Sequence, residues 1–334
     1  MQKDRLNWIN TSKAVCMMIV YFYHCECYLG FNKSEIYHFY APFFTNTFFF
    51  ITGYLLFRKE LAKGILSMCK TTSLRDECKR YLANVIFRIT IPTLLFAFCL
   101  FFPKVAIGMK TDFVSDVLLG GSSWFTTALS VAEIAMLLLL SSQLRNVWFY
   151  VLGAAFFTSI AVVLNTSGIP NLYYFQSGLS STTLIALGGV YYICEKQLDR
   201  LLKWYILLPL ALIYILLIIM YKDYVHFSVY GIDFSFIGFV CAIISMLVIV
   251  AISKKTLRTY KKIAFIGNNT LPFYLLCGAI PNVICMIVCK TNIDRTNLIF
   301  PTFILSVVIA YYIVYVTVTY CPGLFDLRKI KLQK

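Results

Sequence analysis

Residues 146–194 read NVWFYVLGAAFFTSIAVVLNTSGIPNLYYFQSGLSSTTLIALGGVYYIC, without one Asp, Glu, Lys or Arg. A hydrophobic helix needs about 20 residues to cross a bilayer. The run therefore holds two crossings, separated by the polar turn Asn165-Thr166-Ser167-Gly168-Ile169-Pro170. Residues 263–289 and 296–325 are uncharged in the same way. The whole chain agrees. Hydrophobic residues make up 60%, charged residues 13% and aromatics 17%, with a mean hydropathy of +0.77. Soluble domains are about 45–50% apolar and about 25% charged. Too little charge is present to coat a soluble particle, and too many aromatics for disorder. The fold class is all-α: a polytopic membrane protein, with residues 1–334 as one integral-membrane domain.

Working outward, ten membrane segments can be drawn. They are 11–30, 38–57, 81–102, 124–143, 146–165, 177–195, 204–221, 230–253, 263–289 and 298–320. The ninth holds Pro272 and Pro281 and is expected to be kinked or broken. No internal repeat is evident. With the N-terminus in the cytoplasm, 22 of the 30 Lys and Arg fall on the inner side. Six fall outside: Lys33, Lys104, Lys110, Lys222, Lys290 and Arg295. Lys13 and Arg88 lie just within helices. This is a positive-inside pattern over ten crossings, with both termini cytoplasmic. The net charge of +15 therefore reads as orientation and attraction to anionic membrane lipids, not as a nucleic-acid groove. The twelve cysteines include no CxxC pair and no ligand-spaced Cys/His set, so no metal is expected. Most lie in apolar segments, where free Cys packs as a small hydrophobe. Cys25 and Cys27 sit near a membrane surface and are open to reaction or disulfide bonding. The first segment has no small-x-small cleavage site and reads as a retained anchor.

The first segment carries the sharpest chemistry. His24 follows Lys13 by eleven residues, about three helical turns, which puts both on one face about 16 Å apart. Asn10 extends the same stripe. A polar stripe on a membrane helix belongs against protein or a wet cavity. Lys13 near the inner surface can hold an anion. His24 near the outer surface can serve as a general base. The competing readings are a snorkelling anchor for Lys13 and an interfacial histidine for His24.

Lys-x10-His, preceded by Arg5-x-x-Trp8-Ile9-Asn10, resembles the acyltransferase-3 family of integral-membrane acyltransferases. Further segments follow in that family's order. They are Phe49-Phe50-Ile51-Thr52-Gly53-Tyr54-Leu55, Lys79-Arg80 with Arg88-Ile-Thr-Ile-Pro92, and Trp124-Phe125. The last is residues 266–276, Ile-Gly-Asn-Asn-Thr-Leu-Pro-Phe-Tyr-Leu-Leu. The resemblance spans nearly the whole chain. Three positions depart from the family pattern: Asn10 where Asp is frequent, Val85 where Arg is, and Cys277 where His is.

The resemblance implies transfer of an acyl group, commonly acetyl and sometimes succinyl, from cytosolic acyl-CoA to a sugar hydroxyl of an exported or lipid-linked glycan. Lys13 and Arg88 would meet the polyanionic donor, with Arg58, Lys79 and Arg80 as further contacts. His24 would take the proton from the acceptor hydroxyl. Glu133 and Asp233 are the carboxylates best placed to orient it, since Glu26 points away on a continuous helix. Asn10, Trp124 and Asp233 are assigned to the substrate, and Tyr173-Tyr174-Phe175 could stack on sugar rings or mark the membrane interface. Asn268, Asn269 and Thr270 read as capping residues or donor contacts. The implied location is a bacterial cytoplasmic membrane, and the sequence is compatible with a homo-oligomer. Two other readings stay open: a transporter or flippase for a glycan or lipid-linked substrate, and an inactive relative acting as an assembly partner.

Overall fold

The computed structural model describes residues 7–31, 36–62, 74–106, 111–141, 147–222, 235–255, 260–290 and 294–325. The described residues are helical with no strand. The helices are α1 (Asn7–Leu29), α2 (Tyr37–Phe44), α3 (Asn46–Ala62), α4 (Leu74–Val85), α5 (Ile91–Ala106), α6 (Trp124–Ser141), α7 (Val147–Thr166), α8 (Phe175–Ile193) and α9 (Glu195–Leu201). They continue with α10 (Trp204–Tyr221), α11 (Phe236–Lys255), α12 (Lys261–Asn268), α13 (Thr270–Leu276), α14 (Ala279–Val288) and α15 (Arg295–Tyr320).

Seven spans among the described residues are long and apolar enough to cross a membrane, against the ten drawn from sequence. They match the third, fourth, fifth, seventh, eighth, ninth and tenth segments. The other three have a common physical character. In α8, Gln176, Ser177, Ser180, Ser181 and Thr182 are all buried. In α1, Thr11, Ser12 and Glu26 are buried beside apolar residues. These polar faces are turned to protein, which lowers hydropathy without exposing polar groups to lipid. The second segment is interrupted at Thr45, so α3 is only 17 residues long. Across that interruption the Asn46 and Thr47 side chains donate to the carbonyls of Pro42 and Phe43, at 2.9 and 2.7 Å. This explains why Thr-Asn-Thr sits within an aromatic run.

The ninth segment breaks as its prolines require. It forms α12, α13 and α14, with interruptions at Asn269 and at Cys277-Gly278. Pro272 and Pro281 each stand third in a new helix, where a missing N–H leaves no carbonyl orphaned. At the second interruption the Cys277 N–H turns to the Tyr274 carbonyl. The Phe273 carbonyl is instead satisfied by the Tyr21 hydroxyl of α1, at 2.8 Å.

The chain divides into two compact units. The first comprises Met1–Thr47, Pro209–Phe227 and Val240–Lys334. At its centre α1 packs against α2, α12, α13, α14 and α15. Gly267 permits the close approach of α12 to α1. A Cβ there would lie 2.1 Å from the Asn10 carbonyl oxygen. The second unit comprises Phe48–Leu208 and Ser228–Phe239. Its centre is α8, packed on α6 and α7 around Ala135, Ala161 and Leu179. Gly53 brings α3 against the Ile185 carbonyl, and Gly188 brings α8 against that of Phe50; in each case a Cβ would come within 1.9 Å. Small residues that let backbones touch are how membrane helices pack without a hydrophobic driving force.

Candidate functional site

In the first unit, α1 runs unbroken from Asn7 to Leu29, so the register between Lys13 and His24 holds. Asn10, Lys13 and His24 are half-buried, while Ala14, Cys16, Met17, Val20 and Tyr21 beside them are buried. The His24 ring lies between two tyrosines of its own helix. Tyr23 meets it edge-on at 5.6 Å, and Tyr28, one turn further, stacks on it at 5.8 Å and 20°. Residues four apart on a helix are neighbours, so this stacking needs no distant partner. Glu26 is 2% exposed and accepts a hydrogen bond from the Tyr40 hydroxyl of α2.

The stripe is framed at both ends by the broken segment α12–α14. Gly267 of α12 sits against the Asn10 backbone. At the other end, a Cβ on Gly278 would stand 3.8 Å from the Tyr28 hydroxyl. Between these points Tyr21 binds Phe273 of α13. Two motifs more than two hundred residues apart in the chain are thus brought onto one helix. Asn269 donates its side-chain amide to the Phe265 carbonyl at 2.8 Å, at the end of α12. Cys277 is buried at the break. Near the N-terminal end of α1, the Lys254 ammonium sits over the Trp8 ring at 5.2 Å.

The second unit holds the remaining sequence-selected residues. Arg88 is exposed in a π-turn, Ile86–Thr90, between α4 and α5. Pro92 explains the turn: its ring cannot donate and clashes with the Arg88 carbonyl. The ladder widens, and the Ile91 N–H reaches the Ile86 carbonyl. Thr90 contacts Ser130 of α6 at 3.2 Å. Arg80 is exposed on α4, and Arg58 is half-buried on α3. Glu133 is buried on α6 and accepts from the Tyr81 hydroxyl at 3.0 Å, while the Lys59 ammonium lies over the Tyr81 ring at 5.8 Å. Trp124 is half-buried, with its ring 6.3 Å from that of Tyr174. Tyr173 and Tyr174 both adopt left-handed backbone, φ 52° and 50°. The Asn171 side chain receives the Gln176 N–H and donates to Ser177 there. Asp233 lies outside the described residues. Among the described residues no group of three or more His, Cys, Asp or Glu is arranged to hold a metal.

Sequence reasoning missed Tyr28, Tyr81 and Gly267. Tyr28 was readable from its i+4 spacing to His24. Gly267 lay inside a recognised motif, with nothing to reveal what faced it. Tyr81 carried no signal at all.

A family model described as an acyltransferase domain, acyltransferase 3, matches residues 6–318. Comparison with curated proteins and with solved structures returns no match.

Proposed function

Because the chain belongs to the acyltransferase-3 family and carries apolar membrane-crossing helices, we propose that it transfers an acyl group from cytosolic acyl-CoA to a hydroxyl of a glycan on the far side of the membrane. The simplest donor is acetyl-CoA, and the fitting location is a bacterial cytoplasmic membrane. The observation that supports this reading best is the His24–Tyr28 pair, three turns outward of Lys13 on one continuous helix.

The chemistry follows from those positions. Lys13 offers a fixed positive charge toward the inner surface, where a polyanionic donor headgroup arrives. The thin arm of the donor lies along the stripe and brings its thioester carbonyl toward His24. Neutral imidazole takes the acceptor proton as the hydroxyl oxygen attacks the carbonyl carbon. The C–S bond then breaks and the thiolate leaves, to be protonated. Positioned general-base help of this kind contributes roughly 10²–10⁴-fold. The second unit carries positive charge of its own at Arg58, Arg80 and Arg88, and paired ring faces at Trp124 and Tyr174. The engagement of Glu133 by Tyr81 gives that carboxylate a role in holding α6 to α4.

The test is purified protein in detergent or nanodiscs, with labelled acetyl-CoA and candidate glycans. Binding of acyl-CoA with transfer of label supports the reading. A protein that binds no acyl-CoA while moving a glycan or lipid-linked sugar across a vesicle membrane would be a transporter instead.

A further inference from the structure

Two thiols in the first unit meet between helices far apart in the chain. Cys25 of α1 and Cys285 of α14 are hydrogen-bond partners through their sulfurs, and Cys25 also contacts the Ser306 hydroxyl of α15 at 3.8 Å. They are 0% and 1% exposed. Cys285 packs with Leu29, one turn beyond Cys25, and with Leu298, so the two helices are held together around this point. The depths match. Cys25 stands four residues before the end of α1, and Cys285 three before the end of α14. The basic-loop asymmetry puts both of these ends on the side away from the cytoplasm. Compartments on that side of a membrane are oxidising and retain disulfides.

We propose that Cys25 and Cys285 are joined by a disulfide in the mature protein. A disulfide needs a short span between its two residues, and neighbouring thiols on two packed helices are where such a span is found. The bond forms by thiol–disulfide exchange. Two S–H bonds break and one S–S bond forms, and the two electrons and two protons pass to an oxidised protein disulfide, which leaves as a dithiol. Because both sulfurs are buried, exchange takes place as α1 and α14 come together, and the finished bond is shielded from reductant. Cys25 directly follows His24 in the chain. The bond therefore pins the turn of α1 that carries the histidine to the framing segment α14. It also closes a very long loop, the case in which chain-entropy models give the largest effect.

The experiment is peptide mapping of the wild-type protein from membranes prepared without reductant, denatured in excess alkylating agent and digested. The expected result is a peptide pair joining Cys25 to Cys285, which separates into two on reduction. Free alkylation of both thiols would overturn the proposal, as would either one linked to a different cysteine such as Cys27. A second measurement needs no mapping. Under non-reducing conditions, the Cys25→Ser, Cys285→Ser and doubly substituted proteins should lose the same thermal stability, because any one change removes the whole bond. Losses that add from the single variants to the double would show two separate packing residues, and would also overturn it.

Discussion

Gly267→Ala should loosen α12 from α1. An added Cβ would stand 2.1 Å from the Asn10 carbonyl oxygen and 2.6 Å from its Cα and carbonyl carbon. Ordinary contact begins at 3.4 Å, so the clash exceeds an ångström. Every atom met is helix backbone, which cannot swing aside as a side chain can. Overpacking of this kind typically costs 1–3 kcal/mol. At a few degrees of melting temperature per kcal/mol, a drop of roughly 2–10 °C follows. Gly278→Ala is the internal control. Gly278 has right-handed backbone, φ −84° and ψ −36°, and its nearest atom to an added Cβ is the Tyr28 hydroxyl at 3.8 Å. Alanine there should be neutral or stabilising by a few tenths of a kcal/mol to about 1 kcal/mol, through the unfolded chain. Both variants can be followed by fluorescence-detected thermal unfolding in detergent. Equal stability of Gly267→Ala and the parent, or a larger loss at Gly278, would refute the described packing of α1 on the broken segment.

Three further outcomes are expected. Tyr21→Phe leaves the buried Phe273 carbonyl without its donor and should cost about 1–3 kcal/mol in thermal or chemical unfolding, whereas Tyr312→Phe, at a 65% exposed site, should cost little. Tyr28→Phe should keep acyl transfer near the parent rate, while Tyr28→Ala, which removes the ring stacked on His24, should slow it about fivefold, as loss of roughly 1 kcal/mol of ring contact implies; equal rates for the two would separate the stacking from catalysis. Asp294 caps α15 and is held below its ordinary value of 3.8 by hydrogen bonds from the Thr296 hydroxyl and N–H. Folding therefore favours the ionised form: its stabilisation is present above pH 3.8 and is lost as pH falls through the lower folded value. Melting temperatures taken on the acid side should decline more steeply for the parent than for Asp294→Asn, and parallel curves would show that the charge on Asp294 contributes nothing.

Much of the architecture was legible because bilayer chemistry writes itself locally. Uncharged runs the length of a membrane, with basic residues gathered at alternate ends, need no tertiary knowledge to read. The breaks around Pro272 and Pro281 were equally local. The segments that fell short of a membrane-crossing length or hydropathy are those whose character depends on what covers them. The polar face of α8 makes sense only once neighbouring helices are placed. The same division holds at the site. Lys13 and His24 align by helical register alone. The framing of that stripe by Gly267 and Gly278, the bond from Tyr21 to Phe273 and the capture of Glu133 by Tyr81 are contacts between distant parts of the chain, and no spacing announces them.

In the proposed reaction His24 removes the acceptor proton as the acyl group is transferred. Single-turnover transfer from bound, labelled acetyl-CoA tests it most directly, because donor binding and chemistry are read separately. His24→Ala should bind acetyl-CoA as the parent does and transfer its acetyl group roughly 10²–10⁴-fold more slowly. Transfer at the parental rate by His24→Ala would contradict it.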